Sequence, residues 1–248
     1  MAAGQDAADV GSAQRAPAVS ASRPAAAPPP PASLAGAGAI VVRELGRTGY
    51  ADTLRAMQAF TDSRDAATRD EIWITEHAPI YTFGLAGRRE HMLRDNGIAT
   101  LKVDRGGQVT YHGPGQLVIY LLFDLRRPRF GVRDLVRRIE TGVIDWLGTF
   151  GIRAFGDIDA PGVYVQDANG RKAKIAALGL KIRRGCCYHG VAVNFAMDLA
   201  PFHDIDPCGY PGLAVTQVAD FGVDIAFDDA GRALAVQLAR ALQRAQTP

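Results

Sequence analysis

Apolar residues at Val132, Leu135, Val136, Ile139, Val143, Trp146, Leu147 and Phe150 recur every three or four positions, the spacing of one helix face, and predict an amphipathic helix over 132–150. Leu54, Met57 and Phe60 follow the same period and predict a helix over Tyr50–Asp65, and the Ala-rich run Leu234–Leu242 predicts a third. Elsewhere the pattern is extended. Short β-rich runs occupy Ile40–Leu45, Glu71–Glu76, Ile80–Phe83, Ala99–Val103, Gln108–His112, Leu117–Phe123, Val163–Gln166, Ile175–Ile182 and Tyr188–Asn194. Breakers separate them: His77-Ala78-Pro79, Arg105-Gly106-Gly107, Gly113-Pro114-Gly115 and the turn Asp167-Ala168-Asn169-Gly170. A doubly wound parallel sheet needs a helix between most strands, so this pattern predicts an α+β class: a mixed β-sheet core with flanking helices.

Composition divides the 248 residues in two. Residues 1–39 hold fifteen Ala, six Pro and no aromatic residue, too little apolar surface to offset the entropy of ordering them, and are expected to form a disordered extension. Residues 40–248 are expected to form a single folded domain. The longest apolar stretch, Leu117–Phe123, is seven residues, far short of the roughly 20 that cross a bilayer. The tail has neither the basic start nor the apolar run of a secretory signal, and a cytoplasmic protein is expected. Three cysteines, two of them adjacent at Cys186 and Cys187, are awkward for disulfides and point to free thiols. A net charge of +2 gives no reason to expect nucleic-acid binding. Six arginines between Arg126 and Arg138, against Asp134 alone, make either a solvated helix face or a docking patch for an acidic protein.

Candidate chemistry lies in glycine-flanked clusters. Cys208, between Pro207 and Gly209, is placed for a loop-tip nucleophile, or else for a small buried thiol. An unperturbed thiol with a pKa near 8.5 is only about 3% thiolate at pH 7, so a nucleophile here wants a nearby cation. Lys172 and Lys174 precede the apolar run Ile175, Leu178, Leu180, where burial would favour a neutral amine able to act as a base. Zinc ligation by Cys186, Cys187, His189, His203 and Cys208 is disfavoured by their spacing. A Cys-His hydrolase with His112 or His189 as base is chemically allowed.

Four ordered motifs resemble the lipoyl(octanoyl) transferases: Arg105-Gly-Gly-Gln-Val-Thr-Tyr-His112-Gly-Pro-Gly-Gln116, Lys174-Ile-Ala-Ala-Leu-Gly-Leu180, Arg183-Arg-Gly-Cys-Cys-Tyr-His-Gly190 with Asn194, and Asp206-Pro-Cys-Gly-Tyr210 with Val215-Thr-Gln217. The resemblance covers about residues 40–220. It implies a fold like the biotin and lipoate protein ligase catalytic domain, and a reaction that moves an octanoyl group from acyl carrier protein to a lysine ε-amine on lipoyl domains, the first step of endogenous protein lipoylation. It implies acceptors among the 2-oxoacid dehydrogenase complexes and the glycine cleavage H protein, with no ATP, cofactor or metal. Cys208 and Lys174 are the implied catalytic pair, Cys208 carrying the acyl-thioester and Lys174 lowering its pKa and moving protons. Arg105, Gly106, Gly107, Gln108, Val109, Thr110, Tyr111, His112, Ala177, Leu178, Gly179, Gly190, Val191 and Ala192 are the implied substrate-binding residues. Glycines 106, 107, 113 and 115 are expected to bring backbone N–H groups toward the thioester oxygen. Two positions depart from the family pattern: Asp206 replaces the usual Asn, and Cys187 adds a thiol beside Cys186. An ATP-dependent lipoate or biotin ligase and a non-catalytic acyl-binding module are the competing readings.

Overall fold

The computed structural model describes residues 40–129, 131–167 and 169–244, together with the backbone of Ala32 and Ser33. The disordered extension expected over 1–39 therefore lies outside the described residues, apart from that dipeptide, which forms β1 (Ala32–Ser33). The remaining elements follow as β2 (Val41–Thr48), α1 (Tyr50–Ser63), β3 (Glu71–His77), β4 (Ile80–Phe83), β5 (Thr100–Lys102), β6 (Val109–His112), β7 (Gln116–Asp124), α2 (Val132–Gly148), β8 (Ala154–Gly156), β9 (Val163–Gln166), β10 (Lys172–Arg183), β11 (Cys186–Asn194), β12 (Ala214–Val215) and α3 (Phe227–Gln243). The main sheet runs β1-β2-β3-β7-β11-β10-β9-β8, with β12 beside β10, and a small sheet runs β5-β4-β6. The β2–β3, β10–β12 and β4–β5 pairs are parallel and the others antiparallel, so the mixed α+β expectation matches the structure.

Strand β7 explains why its sequence is a continuous apolar run. Leu117, Ile119, Leu121 and Phe123 enter a core shared with Leu135, Ile139, Val143 and Trp146 of α2 and Leu234 and Leu238 of α3. Val118, Tyr120 and Leu122 face the other way, against Trp73 and against Met57 of α1. A strand covered on both faces has no solvent side to alternate with. A third cluster, with Tyr81, Val109, Tyr111 and Phe202, holds the small sheet against the 200–205 turn.

Some boundaries differ from expectation. Lys172 and Lys174 lie inside β10 rather than before it, because cross-strand pairing with β9 extends a strand past its apolar run. Helix α3 begins at Phe227, seven residues before the Ala-rich segment, since Ala230 and Gly231 are buried by tertiary packing and not by their own periodicity. Half of the arginine cluster is committed internally: Arg126 to Asp124, Arg127 to Asp70, and Arg138 to the Ala241 carbonyl of α3. The charge left for docking is correspondingly smaller.

Gly190 sets the spacing of β7 and β11, because a Cβ there would lie 2.1 Å from the Ile119 carbonyl oxygen. Gly190→Ala is expected to destabilise the fold by about 3 kcal/mol, the upper end of overpacking costs. Gly148→Ala, where a Cβ meets nothing within 4 Å, serves as the neutral control in urea denaturation. Equal midpoints for the two variants would refute the close-approach role.

Candidate active site

Cys208 sits at the centre of a Pro207–Gly209 turn with φ +59°, a left-handed conformation that costs a non-glycine residue roughly 1–2 kcal/mol. The turn is over-determined. Gly209 N–H donates to the Asp206 carbonyl at 2.9 Å, Tyr210 N–H to the Pro207 carbonyl at 3.2 Å, and the Tyr210 hydroxyl to the Asp159 carbonyl at 3.2 Å. Such strain, fixed by surrounding bonds, is characteristic of functional positions.

Lys174 reaches Cys208 from β10. A bulge between Lys174 and Ala176 relieves the strand of regular pairing with β9, while β12 pairs in parallel at Lys174 and delivers the chain segment that follows the cysteine turn. The ammonium Nζ lies 3.0 Å from Cys208 Sγ, 3.4 Å from the Pro161 carbonyl and 5.0 Å from the Tyr164 ring centroid. Gly162 makes the room, since a Cβ there would lie 3.0 Å from Lys174 Cε. Glu140 on α2 holds that glycine by accepting its N–H at 2.9 Å. Lys174 is only 3% exposed, and burial alone would strip its charge. The sulfur and the Tyr164 hydroxyl outweigh burial and hold the ammonium above the ordinary lysine range. The neutral resting amine expected from burial is thus reversed by the partner that the fold supplies.

The pocket beside this pair is lined by Arg105, Gly107, Gln108, Val109, Thr110, His112, Ala177, Leu178, Gly179, Gly190, Val191, Ala192 and Cys208, with a volume of about 50 Å³. Every substrate-binding candidate except Gly106 and Tyr111 lies in this wall. Gly106 N–H is bound to the Leu180 carbonyl at 2.9 Å, and Tyr111 packs against Tyr81 and Phe202. Of the four glycines expected near the thioester oxygen, Gly107 lines the pocket, whereas Gly115 N–H is committed to Glu76 at 2.8 Å. Tyr50, Val118, Tyr120 and His189 also line it, and the extended pattern gave no sign of which faces would meet.

Arg105 is the scaffold of the glycine loop. Its guanidinium, 8% exposed, donates to the carbonyls of Thr82, Gly106 and Gln108 at 2.8–3.0 Å and to the Thr82 hydroxyl. Asp104 accepts from Tyr188, from Gln58 and from His189 Nε2, which ties the same loop to β11. Burial keeps His112 well below the ordinary histidine range, and the nearby His77 and Arg105 charges add to it. His112 Nδ1 is bound to Gln116 at 2.7 Å, not to the cysteine. Cys186 and Cys187 are buried at the start of β11 and do not line the pocket; burial pushes the Cys187 thiol up to about 12. A larger hollow of about 650 Å³ beside β4 and β5 includes neither Cys208 nor Lys174.

Residues 49–239 match the Lipoyl protein ligase A/B catalytic domain. Octanoyltransferase of Chromobacterium violaceum is 55% identical over 202 residues, covering 82% of this chain and 95% of the relative. That of Dechloromonas aromatica is 56% identical over 204 residues, covering 82% and 97%. The chain belongs to the octanoyltransferase family. Octanoyltransferases are acyltransferases, and this chain is an enzyme of that class. Its fold is shared with a bipartite lipoate protein ligase from Thermoplasma acidophilum, at a TM-score of 0.65, 19% identity and coverage of 81% and 82%. A lipoate-protein ligase A bound with ATP gives a TM-score of 0.63 at 18% identity, covering 82% and 84%. At those identities the likeness concerns the fold alone. Among the described residues, no helix is long and apolar enough to cross a membrane.

Proposed function

We propose that this octanoyltransferase takes its acyl group from octanoyl-acyl carrier protein, holds it as a thioester on Cys208, and delivers it to the ε-amine of a lipoyl-domain lysine in the cytoplasm. The 3.0 Å contact between Lys174 Nζ and Cys208 Sγ carries this reading, because an ammonium at that distance is the counter-ion a thiolate requires. In the first step the sulfur attacks the donor carbonyl, its S–C bond forms and the carrier thiolate leaves. Thioester exchange is nearly balanced in energy, so it needs a nucleophile and no ATP. In the second step the neutral amine attacks the acyl-cysteine carbonyl, its N–C bond forms, and the C–S bond breaks with its electron pair returning to the sulfur. The proton lost by the nitrogen restores the thiol, and the amide formed is downhill.

Lys174 serves both steps by stabilising negative charge on the same sulfur, first as nucleophile and then as leaving group. Gly107 lines the pocket, and its N–H is assigned to the carbonyl oxygen in both. Ala177, Gly179, Gly190 and Ala192 give the acyl chain small neighbours on β10 and β11. Burying that chain contributes on the order of 5 kcal/mol at about 0.8 per methylene. The residues lining this pocket set how much of the chain it accepts, so length selection rests on them.

The test is to mix the enzyme with octanoyl-acyl carrier protein without ATP, follow the intact mass, and then add lipoyl domain. An octanoyl increment on Cys208 that moves to the domain lysine is the expected result. Transfer that requires ATP and free octanoate would make it a ligase, and acyl binding without a covalent increment would make it a carrier module.

A further inference from the structure

The hollow beside β4 and β5 has a volume of about 650 Å³, the size of a built ligand site, and Arg89, Arg94 and Lys102 line it against Asp95 alone. The three cations are exposed, and among the described residues none of them has an ion-pair partner. The neighbouring carboxylates are already engaged. Glu90 pairs with Arg88 at 3.2 Å, Asp95 accepts the Gly97 N–H at 3.1 Å, and Asp204 accepts from Asn96 Nδ2 at 2.8 Å. Both rims of the hollow are bonded to chain that belongs to the catalytic pocket. On one side, Gly84 N–H donates to the Gln108 carbonyl and Ala86 N–H to the Gly107 carbonyl, each at 3.1 Å, and Gly107 and Gln108 line the pocket with Cys208. On the other side, Met92 bridges Ile205 and Leu93 N–H donates to the Asp204 carbonyl at 2.8 Å, on the chain leading to Cys208. Each rim also presents a leucine to solvent: Leu85, between Phe83 and Gly87 of the lining, is 62% exposed, and Leu93, between Met92 and Arg94, is 54% exposed. Exposed leucines beside unpaired cations form a contact surface for an anionic protein.

Resting on the proposed thioester reaction, we infer that this hollow is the docking site of the acyl donor, an acidic carrier protein whose acyl chain hangs on a phosphodiester-linked arm. Arg89, Arg94 and Lys102 receive the phosphodiester and the carboxylates around its point of attachment. Leu85 and Leu93 meet apolar surface of the carrier, and the arm crosses Gly107 and Gln108 to bring the thioester to Cys208. Guanidinium groups suit this ligand, because they meet a phosphate with two parallel N–H bonds. The recess favours the donor over the acceptor. The acceptor brings a lysine amine and no phosphodiester, so it has nothing to place among cations set into a hollow. The arginines of α2 are on the wrong side of the sheet for this task. Helix α2 packs with Leu117, Ile119 and Leu121 of β7, whereas the pocket uses Val118 and Tyr120 of the opposite face. Arg138 is moreover bound to the carbonyls of Ala241 and Arg244, both at 2.7 Å.

The experiment compares two charge-matched double reversals at exposed positions: Arg94→Glu with Lys102→Glu in the hollow, and Arg133→Glu with Arg137→Glu on α2. Acylation of Cys208 by octanoyl-acyl carrier protein is followed by mass under rapid mixing. At low ionic strength the hollow variant is expected to lose about 30-fold in kcat/KM, within the span of electrostatic steering. The loss should lie in KM, with the rate at saturating carrier within about two-fold of wild type. At about 1 M salt, where the screening length is roughly 3 Å, the gap should narrow to about three-fold or less. Iodoacetamide alkylation of Cys208, and the chase of preformed acyl-enzyme into lipoyl domain, should both match wild type. The α2 variant is expected to stay within about two-fold throughout. An equal loss in the α2 variant would reduce the effect to net charge, and a loss confined to the chase would give the hollow to the acceptor. Either result, an unchanged kcat/KM in the hollow variant, or alkylation slowed along with acylation, would overturn the inference. Absence of any acyl-enzyme in wild type would instead overturn the thioester reaction on which it rests.

Discussion

Cys208→Ala is expected to abolish the octanoyl-enzyme and to reduce transfer to a lipoyl domain by on the order of 10⁴-fold or more, as loss of a covalent nucleophile does elsewhere. The fold is expected to survive. At φ +59° the left-handed backbone costs Ala about what it costs Cys, and the turn bonds from Gly209 and Tyr210 use backbone atoms that the substitution keeps. Thermal midpoints within a few degrees of wild type would establish that the loss is chemical. Serine at Cys186 or Cys187 is the control: neither thiol lines the pocket, and each is raised by burial away from the thiolate form. Full turnover in Cys208→Ala, or an octanoyl increment on Cys186 or Cys187, would defeat the mechanism.

Lys174→Met is the second large effect. The substitution keeps a long unbranched side chain in the space that Gly162 leaves open, but removes the ammonium 3.0 Å from the sulfur. Turnover is expected to fall by about 10³-fold, within the span for a group that assists both half-reactions. Iodoacetamide alkylation of Cys208 at neutral pH is expected to slow in the same variant, because the counter-ion of the thiolate is gone. Stability should hold or rise, since a buried ammonium is replaced by an apolar side chain of similar volume. Unchanged alkylation with lost turnover would mean that Lys174 moves protons without supporting the thiolate. Unchanged turnover would remove it from the mechanism.

The helix α2 stripe and the apolar run of β7 were legible because each is a local pattern: a period near 3.6 for one buried helix face, and a continuous run for a strand covered on both sides. Two boundaries were not. The start of α3 at Phe227 and the extension of β10 back to Lys172 depend on partners remote in sequence, and propensity yields to such packing. In the site, thirteen of the residues that the motifs implied do line one pocket, because glycine-rich turns and small residues leave a recognisable trace. Tyr50, Tyr120 and Asp104 left none, since an aromatic or acidic residue in such positions reads equally well as core or surface.

The sequence by itself determined the class of the fold, the family, and which cysteine stands at a proline–glycine turn, all of which rest on local spacing and on motif order. Only the tertiary structure decided the charge of Lys174. Burial would have neutralised it, but the parallel pairing of β10 and β12 brings in Cys208 from 34 residues away, and the sulfur reverses the balance. Folding likewise sets the Asp206 carboxylate 3.5 Å from His91 Nδ1. Neither outcome is encoded in a neighbouring residue. Electrostatic partners are set by distance in space, and the pairings that bring these side chains together close long loops whose ends carry no mutual signal until the sheet has formed.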